Sequence, residues 1–182
     1  TDDSVEYVRS NYRDVRVFET GKNRFYGGGY NYFFKTDRED CFYLILNNDT
    51  ILDKNILKDM IAGVNKYGKN NIYGPKIMFA KEKDRIWYAG AEVNLYTGLI
   101  KHIGIRKKIK DLDLKDSVTG YVSGCCMLIH SSLVSKLDGF DSSFKMYMED
   151  VDICIRARSI GSECYFLSKP ILYHHVSKTV RN

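Results

Sequence analysis

Hydrophobic positions in this chain fall into short runs whose period changes from one run to the next, and those changes mark the elements. The most apolar run, Phe42 to Leu46, has no polar alternation and predicts a strand at the centre of a sheet, covered on both faces. After it, Ile56, Leu57, Met60, Ile61 and Val64 recur at helical spacing, with Asp53 or Asn55 placed to cap the helix and Gly68 to end it. Ahead of the central run, Thr1 to Ser4 open like a helix cap, and Glu6 stands three residues after Asp3 as in a capping box, so a short helix should reach about Asn11. Val15 to Phe18 alternate as a strand. Gly27, Gly28 and Gly29 read as a loop where backbone can approach a ligand, and Tyr30 to Lys35 as a helix start that would favour phosphate.

The second half continues the pattern. Asn71 to Ile77 predict a strand interrupted by Gly74-Pro75, and the short apolar pieces from Ile86 to Ile105 predict a hairpin or meander. Arg106 to Asp116 read as an exposed loop. Val118 to His130 are again apolar, with Gly120 and Gly124 marking close approach of a ligand or another backbone. Ser131 to Leu137 fit a short helix, Val151 to Ile160 a second one ended by Gly161, and Glu163 to Leu167 and Ile171 to His175 two strands parted by Pro170. The order predicts one α/β domain over residues 1–182, with a mostly parallel central sheet flanked by helices and a small antiparallel appendage.

Composition narrows the classes. At 182 residues, 44% hydrophobic and 28% charged, the chain has an ordinary globular balance and can bury a sizeable core. The net charge of +5 is modest and its carriers are scattered, so nucleic acid, which calls for a stronger basic excess with interleaved aromatics, is not an expected partner. The densest basic run, Lys101 to Lys110 with His102 inside it, reads as a solvated edge or as a contact for an anionic ligand or an acidic membrane. The five cysteines show no C-x-x-C pair and no zinc spacing, which fits reduced, mostly buried thiols in a cytoplasmic protein. No run is long enough to span a membrane, while peripheral contact at the inner face of the cell membrane stays open.

Candidate chemistry lies at the ends of the apolar runs. Asn47, Asn48 and Asp49 follow the central strand, where an open α/β sheet binds its ligands, and a carboxylate with two amides suits a hard divalent cation carrying a phosphorylated ligand. The same four-residue turn is also an ordinary cap. Glu149, Asp150 and Asp152 precede a helix, where carboxylates commonly cap free amides. His174 and His175 follow an apolar strand and are either satisfied core groups or ligands. Asp49, the Glu149-Asp150 pair and His174 are expected to converge on one side of one sheet.

These residues carry a resemblance to family 2 glycosyltransferases of the rhamnosyltransferase-like subgroup, which have the nucleotide-diphospho-sugar transferase (type A glycosyltransferase) fold. Asn23 to Asn31 resemble the family's Asn-x-Gly-Phe-x-x-Gly-x-Asn loop, with Phe25 where its first glycine usually stands. Phe42 to Thr50 resemble its strand ending in Asn-x-Asp-Thr, and Gly124 to His130 its Gly-x-x-Met-Leu-Ile segment. Gly139-Phe140-Asp141 resemble its Gly-Phe-Asp turn, Glu149 to Asp152 its Glu-Asp-x-Asp motif with the following Arg156, and Tyr173-His174 its terminal strand with histidine. The family's first strand, first helix and second strand have no counterpart here, so the expectation is an N-terminally incomplete domain whose nucleobase pocket is supplied from elsewhere.

The resemblance implies inverting transfer of a sugar from a nucleoside diphosphate donor, dTDP- or UDP-linked, to an acceptor hydroxyl of a saccharide or lipid-linked saccharide in cell-surface polysaccharide synthesis. By it Asp150 is the general base and Glu149 its orienting partner. Asp49 and His174 hold Mg²⁺ or Mn²⁺, and Asn23, Gly28, Asn31, Asn47 and Asn48 line the donor side. The competing readings are a non-catalytic binding module of the same fold and a nucleotidyltransferase. The latter lacks support, because no glycine-rich triphosphate loop opens the chain.

Overall fold

A computed structural model describes residues 2–36 and 39–176, so the Thr1 part of the opening cap lies outside the described residues. The elements in chain order are α1 (Ser4–Asn11), α2 (Phe25–Thr36), β1 (Phe42–Leu46), β2 (Thr50–Leu52), α3 (Ile56–Tyr67), β3 (Ile72–Phe79) and β4 (Ile86–Tyr88). Then come β5 (Ala91–Val93), β6 (Ile100–His102), a 3-10 turn at Ile109–Asp111, β7 (Ser117–Val118), β8 (Cys126–His130), α4 (Ser131–Lys136), α5 (Glu149–Ser159) and β9 (Cys164–His174).

Seven strands make one sheet in the order β1-β8-β3-β9-β2, with β4 added to β3 and β7 to β9. Three of its four longest strands, β1, β3 and β9, run in one direction, and β8 runs against them between β1 and β3. Since β8 is interposed and the short strands β2, β4 and β7 pair antiparallel, β3–β9 is the parallel ladder among the described residues. β5 and β6 form the separate antiparallel hairpin that the sequence pattern predicts.

The core sits between this sheet and its helices. Ile56, Met60 and Val64 of α3 are buried there, while Leu57 and Ile61 are 54% and 41% exposed, so the apolar stripe is narrower than its spacing suggests. On β1 only Tyr43 and Ile45 are buried, because β1 forms the edge of the sheet, and the expected cover on both faces is only half realised. β3 is continuous through Gly74-Pro75. The two strands expected around Pro170 are one strand, β9, because β3 pairs on either side of it while Ser168 to Pro170 bulge out between Leu167 and Ile171. Val15 to Phe18 form no strand: the segment finds no ladder partner among the described residues, with Val15 and Arg16 exposed and Val17 and Phe18 half-buried. The glycine run is not a loop either. Gly27 to Gly29 lie inside α2, and a Cβ on Gly27 would stand 2.9 Å from the Cβ of Phe140, so the glycine serves close packing of α2 on that ring.

Candidate active site

β1 ends at Leu46, and the next residues turn back at once into β2. Thr50 Oγ1 donates to the carbonyl of Asn47 at 2.7 Å and fixes the turn, leaving Asn48 exposed at its tip. The antiparallel register of β2 on β9 pairs Thr50 with His174, and the His175 N–H donates to the Asp49 carbonyl at 2.9 Å. Strand pairing alone therefore brings the Asp49 carboxylate to the His174 ring, with Oδ1 3.2 Å from Nε2. Burial pushes the His174 pKa down against the opposing pull of Asp49, which favours the neutral imidazole that a metal requires. The other ring nitrogen, Nδ1, is buried without a hydrogen-bond partner, and Trp87 packs edge-on against the ring at 4.7 Å between centroids.

Glu149 and Asp150 stand in the first turn of α5, which begins two residues earlier than the sequence pattern indicates. The turn entering it is strained: Tyr147 and Met148 both take left-handed backbone, φ 68° and 73°, conformations that cost about 1–3 kcal/mol each and collect at functional sites. Asp150 accepts hydrogen bonds from the Gly124 N–H through Oδ2 and from the Val151 N–H through Oδ1, both at 2.9 Å. Burial raises its pKa and outweighs these two donors. Burial also raises that of Glu149, whose Oε2 is enclosed without a partner, and the neighbouring Asp150 charge adds to the effect.

Residues 119–125 form an irregular strap that joins the two halves. Its Gly124 N–H reaches Asp150, and the carbonyl of the next residue, Cys125, accepts from the Asn47 N–H at 3.1 Å. The Cys125 thiol is pushed up by burial, then by Cys126 and by the charges of both Asp49 and Asp150. Two consecutive strap residues thus bridge the turn that carries Asp49 and the helix start that carries Asp150.

Three expected donor residues are engaged in or near α2. Asn23 accepts the Phe25 N–H at 2.8 Å and so shapes the entry to α2, and Phe25 holds φ 57°, retaining left-handed backbone where the family pattern has glycine. Gly28 lies within α2 beside Arg24. Asn31 spends both ends of its amide on Phe140, donating to its carbonyl at 2.7 Å and accepting its N–H at 2.8 Å, which makes it a tether for the Gly139-Phe140 turn. Asn47 and Asn48 do lie at the site. Sequence reading passed over Trp87, Tyr121 and Tyr26, whose hydroxyl donates to the Gly124 carbonyl at 2.5 Å. The glycines of the strap were the signal that pointed toward this region.

A divalent cation fits the Asp49–His174 pair as a partial site. The donor atoms stand 3.2 Å apart, close to the separation of about 3 Å between neighbouring ligands on one six-coordinate ion with bonds of about 2.1 Å. Such a pair would leave the rest of the shell of Mg²⁺ or Mn²⁺ to water and phosphate oxygens, as these ions allow. Imidazole in the set favours Mn²⁺.

A family model described as glycosyl transferase family 2 matches residues 1–138. The chain belongs to glycosyl transferase family 2. It is 23% identical over its full length to an N-acetylglucosaminyl-diphospho-decaprenol L-rhamnosyltransferase of Mycobacterium tuberculosis, of which it covers 66%. It is 28% identical over 71% of its length to rhamnosyltransferase WbbL of Escherichia coli and 23% identical over 80% to the low-salt glycan biosynthesis hexosyltransferase Agl10 of Haloferax volcanii, covering 50% and 47% of those proteins. This family 2 chain therefore spans about half to two thirds of the length of these curated relatives. Its fold matches that of GalNAc-T7, crystallised with UDP, GalNAc and Mn²⁺, at a TM-score of 0.75 and 12% identity over 95% of this chain and 35% of the other. The type A glycosyltransferase fold expected from the motifs is the fold observed.

Proposed function

We propose that this family 2 protein transfers a hexosyl group, rhamnose being the sugar named in two of the relatives, from a dTDP- or UDP-linked donor to an acceptor hydroxyl with inversion. The acceptor is taken to be a saccharide or lipid-linked saccharide. The observation that carries this reading is the strap at Gly124 and Cys125, which holds the Asp49 turn and the Asp150 helix start against one another.

In this reading Asp150, ionised, accepts the proton of the acceptor hydroxyl through a carboxylate oxygen. The hydroxyl oxygen forms its bond to the anomeric carbon, and the bond to the diphosphate oxygen breaks with its electron pair leaving on the diphosphate. Glu149, enclosed beside Asp150 and raised in pKa by burial, is placed to orient it or a substrate oxygen. A divalent cation held by Asp49 and His174 would neutralise the charge developing on the diphosphate. The exposed Asn48 amide and the half-buried Asn47 side chain offer donors to the same ligand. The strained backbone at Tyr147 and Met148 pre-sets the direction from which Glu149 and Asp150 enter the site.

The test is a thermal-shift panel of dTDP-rhamnose, UDP-glucose and UDP-N-acetylglucosamine with Mn²⁺, followed by release of nucleoside diphosphate from whichever donor stabilises the chain. Selective stabilisation by one diphosphate sugar is expected. Asp150→Asn should lower transfer by roughly 10² to 10⁴, the usual contribution of a positioned base, with donor affinity unchanged. A variant that keeps most of its rate removes Asp150 from this role, and a panel with no stabilising donor supports the non-catalytic module instead.

A further inference from the structure

The β5–β6 hairpin has no part in the chemistry above, yet it is fastened to the strap at successive residues. The Ala91 N–H donates to Thr119 Oγ1 at 2.7 Å, the Gly120 N–H donates to the Ala91 carbonyl at 2.7 Å, and His102 Nε2 lies 2.5 Å from the Tyr121 hydroxyl. Ala91 and His102 are register partners, so all three ties come from one rung of the hairpin. From the core side, the Tyr88 hydroxyl donates to the Tyr121 carbonyl at 2.5 Å. Three residues further along the strap, the Gly124 N–H donates to Asp150. The His102 ring is packed edge-on by Trp87 and Tyr88, at 5.7 and 5.6 Å between centroids, and its Nδ1 is buried with no partner. Trp87 in turn packs on His174, so the His102 ring belongs to the same wall as the Asp49–His174 pair.

We propose that His102 is a positioning residue for Asp150: locked to Tyr121, it fixes the strap that aims the Gly124 N–H at the carboxylate. The proposal rests on Asp150 acting as the base. The Gly124 N–H favours ionisation of Asp150 and works against its burial. The other titratable groups around Asp150 are Glu149 on the same helix, Tyr26 on α2, Tyr121 and Cys125 on the strap, and Cys154 on α5, and their own pKa values are raised in part by its charge. His102 therefore supports, through the strap, the donor that opposes the burial of Asp150.

The experiment is a ¹³C-carboxyl NMR titration of the full chain as wild type, His102→Gln and Tyr121→Phe, with Asp150→Asn assigning the signal. The Asp150 midpoint should move to higher pH in both variants. Release of nucleoside diphosphate from dTDP-rhamnose or UDP-glucose should fall about tenfold in kcat with donor KM unchanged, a fraction of the full contribution of the base. A midpoint that stays in place in both variants overturns the proposal. Tyr121→Phe keeps the ring packing and decides the matter alone where His102→Gln does not fold. The two readings fail separately: Asp150→Asn that still releases diphosphate sinks the base assignment, whereas an inactive Asp150→Asn with an unmoved midpoint sinks only the role of His102.

Discussion

Asp150 must be ionised to accept a proton, yet it is held where burial favours the protonated acid, and that opposition has a thermodynamic signature. Its folded pKa is raised above the ordinary carboxylate value, so between the two values the folded chain binds more protons than the unfolded one. Stability from this group is present below the unfolded value and is lost as pH rises through the folded pKa. Asp150→Asn should therefore melt at a higher temperature than wild type at pH 7, with the gap closing as pH falls toward the unfolded carboxylate value, as differential scanning calorimetry would show. A variant that melts lower at neutral pH would mean that the Gly124 and Val151 donors outweigh burial.

Among the elements, α2 shows how a motif can be recognised and its physical use misread. Three consecutive glycines suggest an open cradle, but whether a glycine is needed for conformation or for room depends on what faces it, and that lies far away in the chain. Gly27 faces Phe140, whereas Gly29 has nothing within 4 Å of where a Cβ would be. Gly29→Ala should gain up to about 1 kcal/mol of helix propensity. Gly27→Ala has the same gain but overpacks a buried contact, which typically costs about 1–3 kcal/mol, so it should be destabilising on balance. Chemical denaturation of the two variants checks this, and unchanged donor binding by Gly29→Ala would separate packing from phosphate contact. Elements with strong apolar signals, the helical stripe of α3 and the unbroken run of β1 above all, were legible almost to the residue. The strap was not, because its irregular backbone is held by side chains such as Tyr26, Tyr88 and His102 that meet it only in three dimensions. Val15 to Phe18 failed for the complementary reason, since alternation predicts a strand only where a partner backbone is present.

At the scale of the whole molecule, the acidic turn, the acidic helix start and the terminal histidine stand at the ends of apolar runs and are expected on one side of one sheet; the fold pairs Asp49 with His174 and links the Asp49 turn to Asp150 through the strap. What sequence left hidden is the order of rigidity between them. His174 ends β9, which is laddered to β3, β2 and β7, so the Asp49–His174 pair is anchored in the densest part of the sheet. His174→Ala should shrink the Mn²⁺-dependent rise in melting temperature expected with UDP, and a tenfold loss of affinity corresponds to about 1.4 kcal/mol of lost stabilisation. An undiminished rise would assign His174 a packing role against Trp87. Asp150, by contrast, hangs from a turn whose two left-handed residues, Tyr147 and Met148, are 62% and 43% exposed. One half of the pocket is fixed by strand ladders and the other by a strained turn and two N–H donors, so in the proposed reaction the diphosphate and the acceptor hydroxyl would both meet groups aimed before they arrive.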